Sequence, residues 1–180
     1  MTDIASDAGK INTYLSGRPT ERPRTDHQPP SPRLKDLDFL LGRMVTHFDT
    51  GVRMESVTRR VMHGHYIQMD LTGTYADGTW KLDGKWIIGW NEVEQKFESY
   101  YVDTMGTLGS VSSPGWQDDG HLVFSGPCVL GEVGVRSMTK DVYTMIDDHH
   151  FQLDAYVEVE GEWKHYDTQD CHVTPEQQGS

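Results

Sequence analysis

Basic residues are scarce relative to acidic ones in this chain, and that shortage sets the first limits. The 180 residues hold 16 Lys and Arg against 28 Asp and Glu, a net charge of -12, so the surface repels phosphate backbones and anionic lipid. No nucleic-acid partner is expected. Cysteine is rarer still: Cys128 and Cys171 are too few for a disulfide scaffold and lack the paired spacing of a zinc knuckle. Long apolar runs are missing as well, with mean hydropathy at -0.62 and no stretch near the roughly 20 residues that cross a bilayer. The opening MTDIASDAGK lacks the charged-then-apolar layout of a secretory signal. The expectation is a cytoplasmic protein with no membrane association. A Gly-rich phosphate loop, a GxSxG elbow and a dinucleotide fingerprint are also absent, which removes NTPase, kinase and dehydrogenase readings.

What is present divides at about residue 34. Residues 1–36 carry 6 basic and 5 acidic groups and hold Pro19, Pro23, Pro29, Pro30 and Pro32, five of the eight prolines. Residues 1–33 read as a flexible proline-rich extension, in which Ile11, Tyr14 and Leu15 have the spacing of one docked helical turn. Residues 34–175 read as the folded domain. Leu34, Leu37, Phe39, Leu40 and Leu41 fit a short helix, with Gly42 as its left-handed C-cap. Beyond it, runs rich in Val, Ile, Tyr, Thr, Phe and Trp alternate with turn signals such as Thr50-Gly51, Asp83-Gly84 and Asp119-Gly120. They predict ten strands: 43–49, 52–62, 66–75, 81–90, 96–103, 107–112, 121–125, 133–146, 151–160 and 163–173. So many hairpin-linked strands exceed an open sheet and close into an up-and-down antiparallel barrel, wide enough for a small ligand.

Particular runs carry a resemblance. Phe39-Leu40-Leu41-Gly42-Arg43, Ile88-Gly89-Trp90-Asn91, Tyr100-Tyr101-Val102-Asp103-Thr104-Met105-Gly106, Leu122-Val123-Phe124-Ser125-Gly126 and Gly161-Glu162-Trp163 resemble a bacterial family of lipocalin-like (calycin) barrels of uncharacterised function, domain of unknown function 1579. The resemblance covers about residues 34–173. It implies an all-β closed barrel and says little about chemistry, because a fold does not carry a function. Met44 stands where that family usually has Trp, and the Gly-rich strand of haem-binding nitrobindin relatives is not visible, so haem is not implied.

Side chains alternate faces along a strand, so each hairpin fixes an inward set. Phe151, Leu153, Ala155, Val157 and Val159 mark one inward face. Pairing Val159 with Trp163 turns Trp163, His165, Asp167, Gln169 and Cys171 inward. Pairing Ile146 with Phe151 turns Arg136, Met138 and Lys140 inward, and pairing Trp90 with Phe97 does the same for Trp86, Trp90, Phe97, Tyr101 and Asp103. The expected pocket is thus aromatic, with Trp86, Trp90, Phe97, Asp103, Met138, Trp163 and Gln169 binding a hydrophobic molecule.

Within that pocket, His165 oriented by Asp167 suits general acid–base work near an imidazole pKa of about 6.5, while Arg136 and Tyr101 suit stabilisation of developing negative charge. The expected activity is cofactor-independent cyclisation, isomerisation or dehydration of a hydrophobic, polyketide-like metabolite. Two alternatives stay open: a non-catalytic carrier or sensor, and a metal-dependent cupin-like enzyme built on His63, His65, Asp70 and His121. The metal reading is disfavoured because Gly64 breaks the strand between the first two histidines and the expected Glu is missing. No metal ligand is therefore assigned, and Trp-rich strands leave a homodimer open.

Overall fold

The computed structural model describes residues 4–17, 28–75, 78–79 and 81–175. Among them, ten strands run β1 (Gly42–Phe48), β2 (Val52–Val61), β3 (Tyr66–Tyr75), β4 (Lys81–Asn91), β5 (Lys96–Asp103), β6 (Leu108–Ser113), β7 (His121–Leu130), β8 (Val135–Asp147), β9 (His150–Val159) and β10 (Glu162–Thr174). Each pairs antiparallel with its sequence neighbours, and β1 pairs with β10 from Arg43↔Thr174 to Phe48↔Gln169, so the sheet closes on itself. Closure removes both edges, the vulnerable feature of a long meander.

The predicted strands are found with one notable extension. β7 does not stop at Ser125 but continues through Gly126 and Pro127 to Leu130. A proline cannot donate to a ladder, yet β7 resumes pairing with β6 at Gly109↔Cys128. Gly126 makes this crossing feasible: a Cβ there would lie 2.4 Å from the Ser110 carbonyl oxygen.

One end of the barrel is plugged. A 3-10 helix, Pro32–Leu40, is capped by the Ser31 hydroxyl and buries Leu34, Leu37 and Leu40. Phe39 stands edge-on to Phe151, with ring centroids 5.1 Å apart, and 5.7 Å from Trp116. Polar links pin the plug at three further points: Arg60 bonds Leu34 O and Asp38, Trp116 Nε1 donates to Asp36 O at 3.0 Å, and the Arg33 guanidinium lies 5.0 Å over Trp90. Gly42 is not the left-handed cap expected of it. Leu41 ends the helix in extended conformation, and Gly42 opens β1 at φ 126° with its Cα so close to Thr174 O that a Cβ would sit at 2.3 Å.

The expected docked turn is a longer helix, α1 (Ile4–Ser16), on which Ile11 and Leu15 are exposed. Most of the expected proline-rich arm, residues 18–27, lies outside the described residues.

Candidate functional site

Above the plug, the barrel encloses a cavity of about 610 Å³ that opens toward the loops joining β5 to β6 and β7 to β8. Its floor is Leu40, Met44, Trp86, Tyr143 and Phe151, and apolar side chains such as Met69, Leu71, Leu82 and Leu153 form much of the wall. Trp86 lies edge-on to Phe124 at 5.5 Å and stacks on Tyr143 at 6.4 Å, so the floor is a rigid aromatic layer. Two mouth loops meet closely at Gly131, where a Cβ would lie 2.2 Å from Met105 O.

A few polar groups interrupt this apolar wall. Tyr101 donates its hydroxyl to Asp103 Oδ2 at 3.1 Å, and Asp103 Oδ1 accepts the backbone N–H groups of Met105 and Thr107 at 2.9 Å each. The aspartate therefore ties the mouth loop and the phenol together. Burial, with the Asp103 charge beside it, raises the Tyr101 pKa well above its ordinary value, so the hydroxyl stays protonated. Gly84 on the neighbouring strand leaves the room: a Cβ would lie 3.0 Å from the Tyr101 oxygen.

Asp141 lines the cavity from the middle of β8 between Thr139 and Tyr143, and among the described residues no donor bonds its carboxyl. Desolvation pushes its pKa up to about 7, because nothing offsets the loss of water. Its field also reaches Cys128, Tyr143 and Tyr166, whose own pKa values are raised chiefly by burial. Tyr166 is half exposed and lines the cavity.

Asp167 is buried beside the cavity; Gln169 Nε2 donates to its Oδ2 at 3.0 Å, and its Oδ1 has no partner. Burial, with the neighbouring Asp49 carboxyl beside it, raises its pKa.

The sequence-predicted residues divide sharply. Trp86, Tyr101, Asp103 and Gln169 line the cavity; Phe97 is fully buried in the core, and Trp90 packs on it at 4.9 Å. Arg136, Met138, Trp163 and His165 do not reach the interior, for two reasons. A bulge at Ile146 pairs Met145, not Ile146, with Phe151, which turns Thr139, Asp141 and Tyr143 inward in place of Met138 and Lys140. At the last hairpin Trp163 pairs with Glu158, not Val159, and a second bulge at Tyr166 then restores the inward face for Asp167, Gln169 and Cys171. Each bulge adds one residue and reverses the alternation beyond it.

The displaced residues make their contacts outside. Lys140 Nζ sits 4.6 Å over the rings of both Tyr156 and Trp163. His165 Nε2 bonds Thr168 Oγ1 at 3.0 Å and lies 3.4 Å from Asp154, so Asp167 does not orient it. The cupin-like set also scatters. His65 bonds Gln28 O at the plugged end, Asp70 pairs with Arg59 and Lys85, and His121 bonds Thr144.

Residues 46–171 match the family described as protein of unknown function, DUF1579. The chain belongs to that family. The match spans most of the barrel, from β1 into β10. No curated protein matches this DUF1579 chain. Among solved structures it is similar to Rv2717c from M. tuberculosis, at 14% identity over 81% of this chain and 99% of the other, with a TM-score of 0.61. That likeness shows the lipocalin-like barrel fold of the DUF1579 chain. A slighter likeness, TM-score 0.38 and 10% identity over 77% of this chain and 97% of the other, is to EF1p2_mFAP2b, solved bound to DFHBI; at that level it bears on neither fold nor function. No described helix of the DUF1579 chain is long and apolar enough to cross a membrane.

Proposed function

We propose that this protein binds a small, mostly apolar molecule inside the barrel, with Asp141 as the polar anchor. The observation that carries the reading is the unpartnered Asp141 carboxyl facing an apolar cavity of about 610 Å³. The carboxyl is part-buried, with no protein donor, so a ligand hydroxyl or N–H that meets it supplies a hydrogen bond the protein does not. The Tyr101–Asp103 pair at the mouth offers a second fixed polar point. The ligand chemistry that fits is a hydrophobic skeleton bearing a hydroxyl or N–H group.

A second reading, catalysis without a cofactor, is favoured by the same carboxyl. A group titrating near neutrality can take and return a proton, which suits isomerisation or cyclisation of the bound molecule. In this reading Asp141 fills the acid–base role that the sequence suggested for His165, and Tyr101 remains a candidate for steadying negative charge.

Native mass spectrometry of protein purified from its own host, with titration of the neutral fluorophore N-phenyl-1-naphthylamine, tests both. The expected results are a retained organic molecule or saturable probe binding that quenches Trp86, weakened in Asp141→Leu. An empty protein that takes up no probe overturns the binding reading. A retained molecule released unaltered after incubation overturns the catalytic one.

A further inference from the structure

The outer wall of the barrel carries a cluster that the cavity does not explain. His150 and His172 stand directly opposite each other on β9 and β10, and Asp170 lies two residues from His172 on the same face. Their neighbours Phe151 and Cys171 are buried on the inner side, so all three face outward. His150 Nε2 lies 2.6 Å from Asp170 Oδ1, and His172 Nε2 lies 2.9 Å from Asp170 Oδ2. The two imidazoles stack with centroids 4.0 Å apart, and one ligand atom from each of the three residues falls within 4.8 Å of the others.

We propose that His150, Asp170 and His172 form a binding site for a borderline divalent metal ion, with zinc as the ion it takes. Two imidazole nitrogens and a carboxylate oxygen are the donor set of that class, and not of calcium or magnesium, which seek oxygen alone. The strand ladder fixes the three Cα positions before any ion arrives, so little ordering is left to oppose binding. A tetrahedral ion at about 2.0–2.2 Å from each ligand needs donor atoms about 3.3 Å apart. The two hydrogen bonds must therefore open by roughly half an ångström and the two imidazoles turn out of their stacked arrangement, which χ rotations of these outward-facing, partly exposed side chains supply. Each imidazole gives up its Nε2 proton, holding one on Nδ1 instead. A fourth position stays open to water, and His47, which pairs with Asp170 across β1, stands on that side. The ion would tie β9 to β10 beside the β1–β10 seam that closes the barrel.

The test uses the full chain, stripped with chelator and titrated with zinc chloride alone by calorimetry and by competition with a chromophoric chelator. The expected result is one ion per chain with a Kd at or below about 10 µM, weakened about tenfold or more in His172→Gln and in Asp170→Asn. Zinc should also raise the thermal midpoint of the wild type and leave that of the His150→Gln, His172→Gln double variant unmoved. Saturation absent below about 100 µM, or affinity retained in both single variants, overturns the proposal, the latter because it places the ion on other histidines. Unchanged binding of N-phenyl-1-naphthylamine by the variants shows that the barrel is intact, so a lost ion cannot be read as a lost fold.

Discussion

The inner and outer faces of β8, β9 and β10 are built from alternate residues of the same strands, yet they treat polar groups in opposite ways. Outside, the polar groups are partnered: Lys140 with two rings, His165 with Thr168 and Asp154, His150 and His172 with Asp170. Inside, Asp141 has no partner and Asp167 has one oxygen without any. Water would solvate the outer groups in any case, so their pairing contributes little stability. Asp141 and Asp167 carry a desolvation cost that an apolar side chain at those positions would not. Unpartnered polar groups facing a cavity are the features on which the binding proposal rests.

The largest expected effect tests the packing of the inner face. Phe151 is buried and in ring contact with Phe39 and Tyr143. Phe151→Ala should lower unfolding free energy by about 3–5 kcal/mol, measured by chemical denaturation, while Trp163→Ala on the outer face should cost about 1 kcal/mol or less. Equal losses would mean that the two faces are not energetically distinct.

The next effect isolates Asp141. Its folded pKa of about 7 lies above the unfolded value of about 3.9. Between those values the native state holds a proton that the unfolded state has released, so wild-type stability falls as pH rises from about 4 to 7 and is level beyond. Three units at 1.36 kcal/mol each set an upper bound of about 4 kcal/mol, reduced by whatever water the cavity admits. Asp141→Asn should remove the Asp141 share of that slope and leave the share of Asp167, whose carboxyl burial also raises. Denaturation of both proteins at pH 4.5 and pH 8 checks it, and parallel curves would show that Asp141 is solvated and not the costly group inferred here.

That Asp141 was not legible in the sequence has a physical cause. Along Met138 to Met145 both alternations contain apolar residues, so the pattern does not choose a face, and the decision falls to the bulge at Ile146, which leaves no turn signal. The Tyr166 bulge misplaced Trp163 and His165 in the same way. By contrast, the hairpin of β4 and β5 has no bulge, its Trp90↔Phe97 pair is observed, and Trp86, Tyr101 and Asp103 were placed correctly. Strand number and closure were readable because turn residues mark them. Pocket residues were readable only where the ladder is regular.

A smaller effect probes the mouth. Gly131→Ala drives a methyl group into the Met105 carbonyl, and backbone cannot yield as a flexible side chain can. The expected cost is about 1–3 kcal/mol, with uptake of N-phenyl-1-naphthylamine slowed in stopped-flow traces more than Phe151 or Trp163 variants slow it. Unaltered uptake would place the ligand's entry elsewhere.

The smallest effect is the one that decides between two chemistries. His165 is exposed, and its bonds to Thr168 and Asp154 lie on the outer face. The Asp154 carboxyl, which burial alone would push up, is held below its ordinary pKa by hydrogen bonds from Thr168, Gln152 and His165. Two of those three donors survive His165→Ala, so the substitution should change stability by about 0.5 kcal/mol or less. Probe binding, and turnover of any substrate found, should not change at all, whereas Asp141→Asn should reduce both. If His165→Ala abolished turnover while Asp141→Asn preserved it, the reacting group would have to lie on the outer wall, and the cavity would be a packing defect instead of a site.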